Sequence, residues 1–291
     1  MDEVFEQYRG LLMSIAYRML SSIMDAEDVV QEAYLRWQSA PQVDSARAFL
    51  CTVVTRLCID QLRSAQAHRE TYIGPWLPEP VLSGMLPAES AAMSDSLSTA
   101  FLIMLESLSP IERAVFLLRE VFDYEYNEIA QVVEKSDTNC RQMVSRAHER
   151  LKAKRARFPV SRQQQEQLTG QFLQTLDSGD MEGLLSLLSA DIVSYSDGGG
   201  KVRSATRPVV GPDHVARFFL GILKKAPPGL LRRPVEVNGQ PGLVTYLDGQ
   251  AFSVITADIS EDGKIRTIYQ VTNPDKLRHL QSLAKDQWRT E

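Results

Sequence analysis

From Val4 to Met19 apolar side chains recur three and four positions apart, at Val4, Phe5, Tyr8, Leu11, Leu12, Ile15, Ala16 and Met19, which places them along one face of a helix. Ser21-Ser22 breaks that pattern, and a second helix follows from Asp25 to Trp37. Val29, Val30, Ala33 and Leu35 to Trp37 are its expected buried side, and Asp28, Gln31 and Glu32 its exposed face. A polar loop from Ser39 to Asp44 leads to a third helix, from about Ala46 to Ala67, in which Leu50, Val53, Val54, Leu57, Cys58 and Leu62 point inward. Tyr72-Ile73-Gly74-Pro75-Trp76-Leu77-Pro78-Glu79-Pro80 cannot form a regular helix and reads as an extended linker. Ser109-Pro110-Ile111-Glu112 then combines a hydroxyl N-cap, a proline at the first helical position and a carboxylate at the third, ahead of the apolar face Val115, Phe116, Leu118, Val121 and Phe122. A short helix from Asn127 to Val133 buries Ile129, Ala130 and Val133; Glu134 to Asp137 turn the chain; a further helix starts near Thr138 and buries Cys140, Met143, Val144, Ala147 and Leu151.

The period changes after Arg157-Phe158-Pro159. Two helices, Leu168 to Leu176 and Met181 to Leu188, precede strand-like runs at Ile192 to Ser196, Val235 to Val237, Leu243 to Leu247, Phe252 to Ala257 and Ile265 to Val271. Turn signals separate them: Asp197-Gly198-Gly199-Gly200, Asn238-Gly239, Asp248-Gly249 and Asp262-Gly263. One helix, Pro212 to Leu223, interrupts the strands. This order predicts an α+β domain with an antiparallel sheet.

Two short helices joined by a tight turn form a helix-turn-helix. The outer face of the second shows Asn139, Arg141, Gln142, Ser145 and Arg146, side chains able to bond base edges and phosphates in a major groove. Arg150, Lys152, Lys154, Arg155 and Arg157 extend that face as a cationic tail. Glu134 stands where such a turn often carries glycine, so a positive φ there would cost about 1 kcal/mol or be avoided by a wider turn. The chain as a whole is acidic, with 32 Lys and Arg against 37 Asp and Glu and a net charge of -5. An autonomous DNA-binding protein would profit from the opposite sign. Charge is unevenly spread, basic from Arg141 to Arg162 and acidic from Asp25 to Glu32, which predicts a second, basic partner. The helix dipole accounts for acids in the first turn, Asp25, Glu27 and Asp28, but not for Glu32. The three cysteines, Cys51, Cys58 and Cys140, lack paired spacing and read as small core residues; no metal site or cofactor is expected. No signal peptide or apolar membrane span is visible, so a cytoplasmic location is expected.

The string DAEDVVQEAYLRW followed by TVVTRLCIDQLRSA resembles region 2 of an extracytoplasmic-function (ECF) sigma factor, and LSPIERAVFLLREVFDYEYNEIAQ with RQMVSRAHERLK resembles its region 4. YIGPWLPEP looks like the linker of the subgroup with a fused C-terminal SnoaL-like domain, and DGGGKV, VNGQPG and NPDKL look like signatures of that NTF2-like cone. The resemblance implies a multidomain protein: region 2 helical bundle over 1–71, linker over 72–97, region 4 helix-turn-helix over 98–158 and α+β cone over 164–291. It implies that Asp25, Asp28, Gln31 and Glu32 dock on the clamp of the β′ subunit of core RNA polymerase. Gln42, Asp44, Ser45, Arg47, Arg56 and Arg63 would capture the opened -10 element, and Thr138, Asn139, Arg141, Gln142, Ser145, Arg146 and Arg150 would read the -35 element of promoter DNA. Trp76, Leu77 and Pro78, the turn Asp197, Gly198, Gly199, Gly200 and Lys201, and Asn273, Pro274, Asp275, Lys276 and Leu277 are the expected regulatory contacts, with Leu277, Leu280 and Leu283 docking a terminal helix. The cone would hold the two DNA-reading regions at one spacing.

Two alternatives belong to other classes. One is a stand-alone DNA-binding regulator with a small-molecule ligand in the C-terminal pocket. The other is a SnoaL-like enzyme using Tyr195, Asp197, His214, Asp191 or Tyr246 for proton transfer. Asp197 sits in a glycine turn where its carboxylate can simply bond backbone, so a non-enzymatic domain is expected. The acidic helix and the separate -10 module, which a one-component regulator does not need, favour the sigma factor.

Overall fold

The computed structural model describes residues 2–40, 43–69, 71–86, 96–152 and 161–281. They divide into two compact units, the first made of 1–71 and 84–155, the second of 72–83 and 156–291. Both helical regions therefore lie in one unit, and of the expected linker 72–83 belongs with the C-terminal domain and 84–97 with the helical unit.

In the first unit α1 (Asp2–Leu20), α2 (Ile23–Gln38) and α3 (Ala46–Arg69) pack on one another. Helix α4 (Thr99–Leu105) precedes α5 (Pro110–Glu120), α6 (Tyr126–Val133) and α7 (Asp137–Lys152). The capping box at Ser109 and Glu112 forms as the sequence predicts. The C-terminal half of α1 is buried all round, from Leu12 to Leu20, because α5 covers the side that α2 and α3 leave open. Helix α3 likewise packs on α5 and α6. The two helical regions thus pack on each other directly.

Two arginines are sealed inside this unit. Arg18, fully buried, donates from Nε to Ser96 Oγ at 2.8 Å and lies over the Phe122 ring. Arg113, 2% exposed, donates to Met19 O at 2.7 Å and Leu105 O at 3.2 Å and pairs with Glu106 at 2.8 Å. Burial pulls its pKa down to about 10, still far above neutrality, so the charge stays.

The second unit holds α8 (Arg162–Ser178), α9 (Met181–Leu187), β1 (Leu188–Asp197), β2 (Val209–Val210), α10 (Pro212–Lys224), β3 (Leu231–Val237), β4 (Gln240–Leu247), β5 (Gln250–Ile259), β6 (Ile265–Val271) and a 3-10 helix (Pro274–Leu280). The sheet order is β2-β1-β6-β5-β4-β3. Asn238-Gly239 and Asp248-Gly249 turn the two hairpins with all four residues at positive φ, so Val237 faces Gln240 and Leu247 faces Gln250. One pairing departs from expectation: β1 runs parallel to β6, from Val193 beside Thr267 to Asp197 beside Val271. The long path from β1 to β6 through α10 and four strands leaves direction free, and only the closing of the sheet chooses it. One sheet face packs Leu243, Ile255, Ile265 and Ile268 against Phe172, Leu176, Leu184 and Phe219 of the helices.

Three side-chain expectations are corrected. Leu35 is 52% exposed, and Arg36 is exposed too, so of Leu35 to Trp37 only Trp37 is buried. Val4 is also exposed, in the first turn of α1. The turn after α6 is not widened: Glu134 adopts φ 55°, ψ 47° and closes the helix in the left-handed region.

Candidate polymerase and nucleic-acid interfaces

Ser22 caps α2 through its hydroxyl, which accepts from Asp25 N at 3.2 Å. One turn further on, Asp28 and Gln31 are exposed and Glu32 is half-buried beside Arg36, with which it pairs at 2.9 Å. Asp25 is partly exposed. The exposed Met24 and Leu35 sit at positions that share a helical face with Asp28 and Gln31. The result is an acidic stripe with an apolar residue at either end, a pattern suited to burying a basic helix surface.

Of the residues expected at the -10 element, Gln42 lies outside the described residues. Ser45 caps α3, accepting from Ala48 N at 3.3 Å, and Asp44 is exposed beside it. Arg47, in the first turn, stacks over the Tyr124 ring at 5.0 Å. Arg56 donates to Val132 O at 2.9 Å and Gln131 O at 3.0 Å, and pairs with Glu134 at 3.0 Å. Arg63 is exposed and pairs with Asp60 on its own helix. These residues do share one helix and its entrance, but two of them are already held by the helix-turn-helix.

On α7, Thr138, Asn139, Gln142, Ser145 and Arg146 are exposed on one side, while Cys140, Val144, Ala147 and Leu151 are buried on the other. Arg141 is braced by Asp137 at 3.1 Å and lies 4.2 Å from the Tyr126 ring centroid. Arg150 pairs with Glu112 at 3.0 Å. Although partial burial opposes it, the Ser109 hydrogen bonds and Arg150 hold the Glu112 carboxyl below its usual range, so that pair persists in mildly acidic solution. The cationic tail beyond Lys152 lies outside the described residues.

In the second unit the regulatory strings meet at Asp197, which is fully buried. Its carboxylate accepts from the Tyr72 hydroxyl, from Leu77 N at 2.9 Å, from Gly199 N at 3.1 Å and from Lys276 Nζ at 2.8 Å. Lys276 also donates to Leu77 O and stands 4.0 Å from the Trp76 ring centroid. Asn273 caps the 3-10 helix through Asp275 N and donates to the Tyr72 hydroxyl. Lys201 pairs with Asp275, and Leu277 and Leu280 are buried, whereas Leu283 lies outside the described residues. Gly199 and Gly200, at φ 60° and 70°, explain the glycine run: a Cβ on the first would meet Asn273 Nδ2 at 2.2 Å and on the second Ile73 Cδ1 at 2.8 Å. Pro78 is buried next to Leu77, and beyond it Val81 N and O both bond Asn238 before Leu82 bridges to Val237. Tyr72, Asn238 and His279, which bonds Pro80 O at 2.7 Å, are partners that periodicity could not supply; the Asn-Gly turn was visible only as a turn.

The groups considered for catalysis are engaged elsewhere. Asp197 is the hub just described, His214 bonds Val210 O, at the end of β2, at 3.0 Å, and Asp191 pairs with Arg266 on the surface. Tyr195 stacks on Tyr269 at 5.9 Å. Between α8 and the sheet there is room for a cavity of about 20 Å³, on the scale of a single water, lined by Leu168, Phe172, Leu243, Ile255 and Ile268. Among the described residues no helix is long and apolar enough to cross a membrane, and no cluster of His, Cys, Asp and Glu could hold a metal ion.

Comparison with known proteins accords with this anatomy. Sigma-70 region 2 matches residues 4–68 and Sigma-70, region 4 matches residues 99–151. The chain is 38% identical over 286 residues to the ECF RNA polymerase sigma factor SigJ of Mycobacterium tuberculosis, covering 94% of this chain and 92% of that protein. It is 32% identical to the probable ECF RNA polymerase sigma factor SigI of the same organism, covering 94% of each. The crystal structure of Mycobacterium tuberculosis SigJ superposes with a TM-score of 0.77 at 34% identity, covering 96% of this chain and 98% of that one. With both sigma regions matched and a relative this similar along nearly its whole length, the chain belongs to the ECF RNA polymerase sigma factors, in a form that carries a helix-plus-sheet domain after region 4.

Proposed function

We propose that this sigma factor docks on core RNA polymerase through the α2 stripe, with Asp25, Asp28, Gln31 and Glu32 facing the basic clamp of the β′ subunit and Met24 and Leu35 sealing the contact. Docking on core also explains how an acidic protein works on DNA: the enzyme supplies the attraction that the net charge withholds. Asp44, Ser45, Arg47, Arg56 and Arg63, with Gln42 ahead of them, capture the opened -10 strand. Thr138, Asn139, Arg141, Gln142, Ser145, Arg146 and Arg150 engage the -35 duplex, in which Arg146 and Gln142 read bases and Arg150, already tied to Glu112, positions the backbone.

The C-terminal domain acts as a binding partner for the linker and has no catalytic part. By seating 72–83 on its sheet it immobilises about 40 Å of extended chain that would otherwise let regions 2 and 4 separate. The observation that carries this reading is the four-donor Asp197 hub.

The test combines pull-down on core polymerase with run-off transcription. Asp28→Lys with Glu32→Lys is expected to weaken core binding by tenfold or more, since a desolvated charge pair at an interface is worth roughly 2 kcal/mol or above. Its circular dichroism and melting should stay unchanged. Undiminished co-purification refutes the docking face. Arg146→Ala is expected to relax selectivity at one or two -35 positions, and Arg150→Ala to weaken all promoters alike.

A further inference from the structure

We infer that Tyr126, on the first helix of the helix-turn-helix, is a positioning residue for Arg141: its ring, together with the Asp137 carboxylate, sets the arginine fork before DNA arrives. The inference deepens the -35 assignment of Arg141 and rests on it. Arg141 is 61% exposed and stands one turn into α7, the part of a recognition helix that meets base edges and phosphates. A long side chain at such a place loses rotamer freedom on binding, and that loss weakens the contact it makes. Here the fork is ordered on two sides in the free chain. Nε donates to Asp137 Oδ1 at 3.1 Å and Nη2 to Oδ2 at 3.4 Å, which fixes its plane along one edge. The guanidinium carbon lies 4.2 Å from the Tyr126 ring centroid, which supports its face. Nη1 takes no part in the pair with Asp137, so the outer edge of the fork is left to donate to DNA.

The ring is itself held. Tyr126 is the first residue of α6, and Glu128 fixes that helix start by accepting from Glu125 N at 2.9 Å. Arg119, near the end of α5, has its guanidinium 4.9 Å from the same ring centroid. Its Nη1 donates to Tyr124 O at 2.9 Å and to Glu125 at 3.3 Å, so Arg119 is tied to the chain just ahead of α6. Side chains of three helices therefore run in series: Arg119 of α5 holds the ring at the head of α6, and the ring holds Arg141 of α7. Two guanidinium groups beside one ring repel each other, and a phosphate or an acceptor edge in the groove offsets that repulsion. The arrangement thus favours the DNA-bound state over the free one.

The experiment uses the full chain reconstituted with core polymerase and a fluorescein-labelled duplex promoter fragment that supports run-off transcription, with a set of the same fragment altered singly at each -35 position; binding is read by anisotropy. Tyr126→Leu and Tyr126→Gln, one apolar and one polar, both remove the ring, whereas Tyr126→Phe keeps it without the hydroxyl. We expect the first two to lose roughly twofold to fivefold in affinity, and Tyr126→Phe to bind like the parent. Their losses across the altered fragments should follow the pattern of Arg141→Ala, and in an Arg141→Ala background they should cost nothing further. A loss in Tyr126→Phe as large as in Tyr126→Leu places the hydroxyl itself on DNA and overturns the inference. A full loss persisting in the Arg141→Ala background makes Tyr126 a general support of the fold and overturns it equally. Arg141→Ala separates the two levels. If it binds like the parent, the -35 assignment of Arg141 fails and the inference with it; if it binds more weakly while both ring-less variants bind normally, the assignment stands and the positioning role alone fails.

Discussion

Removing the two halves of the Asp197–Lys276 pair should have unequal effects, and the inequality follows from what each leaves behind. The side chains are 0% and 8% exposed, so neither can turn to water without opening the fold. Asp197→Ala strands a buried ammonium with the Leu77 carbonyl as its remaining hydrogen-bond acceptor among those described above, and deprives Leu77 N and the Tyr72 hydroxyl of their acceptor. Breaking a buried pair from one side costs about 3–5 kcal/mol. Lys276→Met is milder. It leaves the carboxylate with three donors, the Tyr72 hydroxyl and the Leu77 and Gly199 amides, and the thioether can keep part of the contact with Trp76. A loss of about 1–2 kcal/mol is expected. Hydrogen exchange followed by mass spectrometry reads this locally. The Leu77 and Val81 amides are both bonded to the domain, and the opening free energy of peptides spanning 72–83 reports their release. Equal losses in the two variants, or a larger loss for Lys276→Met, would refute the hub as the anchor of the linker.

Two further outcomes test the C-terminal domain. Gly199→Ala should destabilise by roughly 2–3 kcal/mol in urea unfolding, because it meets Asn273 and takes positive φ, whereas Gly263→Ala, at φ 72° with open space around it, should lose only about 1 kcal/mol. Asp258, which accepts from the Tyr269 hydroxyl at 2.9 Å, is pushed up by burial to about 6. A carboxyl raised in the folded state favours folding when protonated, so its contribution is full below about pH 4 and is lost as pH rises through 6. Asp258→Asn should therefore stabilise the protein at pH 7 by no more than about 3 kcal/mol, less for the carboxyl's partial exposure, and flatten the pH profile between 4 and 7; an unchanged profile would refute the assignment.

Much of this protein is determined by local chemistry. The helix periods, the Ser109 capping box, the Asn-Gly and Asp-Gly hairpins and the two faces of α7 are consequences of neighbours within four residues, and each formed where the sequence places it. The family strings likewise identify both sigma regions, since they are local. What periodicity misread was decided by distant neighbours. Leu35 looks like a core residue until α2 meets α1 and α3 and leaves it outside, and β1 looks antiparallel until the sheet closes it on β6. Arg18 and Arg113 are buried by helix packing that no local pattern announces. The carboxylates show the division most plainly. Sequence can say that Asp197 sits in a glycine turn and that Glu134 sits where glycine is usual. That one gathers Tyr72, Leu77 and Lys276, and the other meets Arg56, depends on residues 78 to 125 positions away, brought together by burial of apolar faces that specify no particular polar partner.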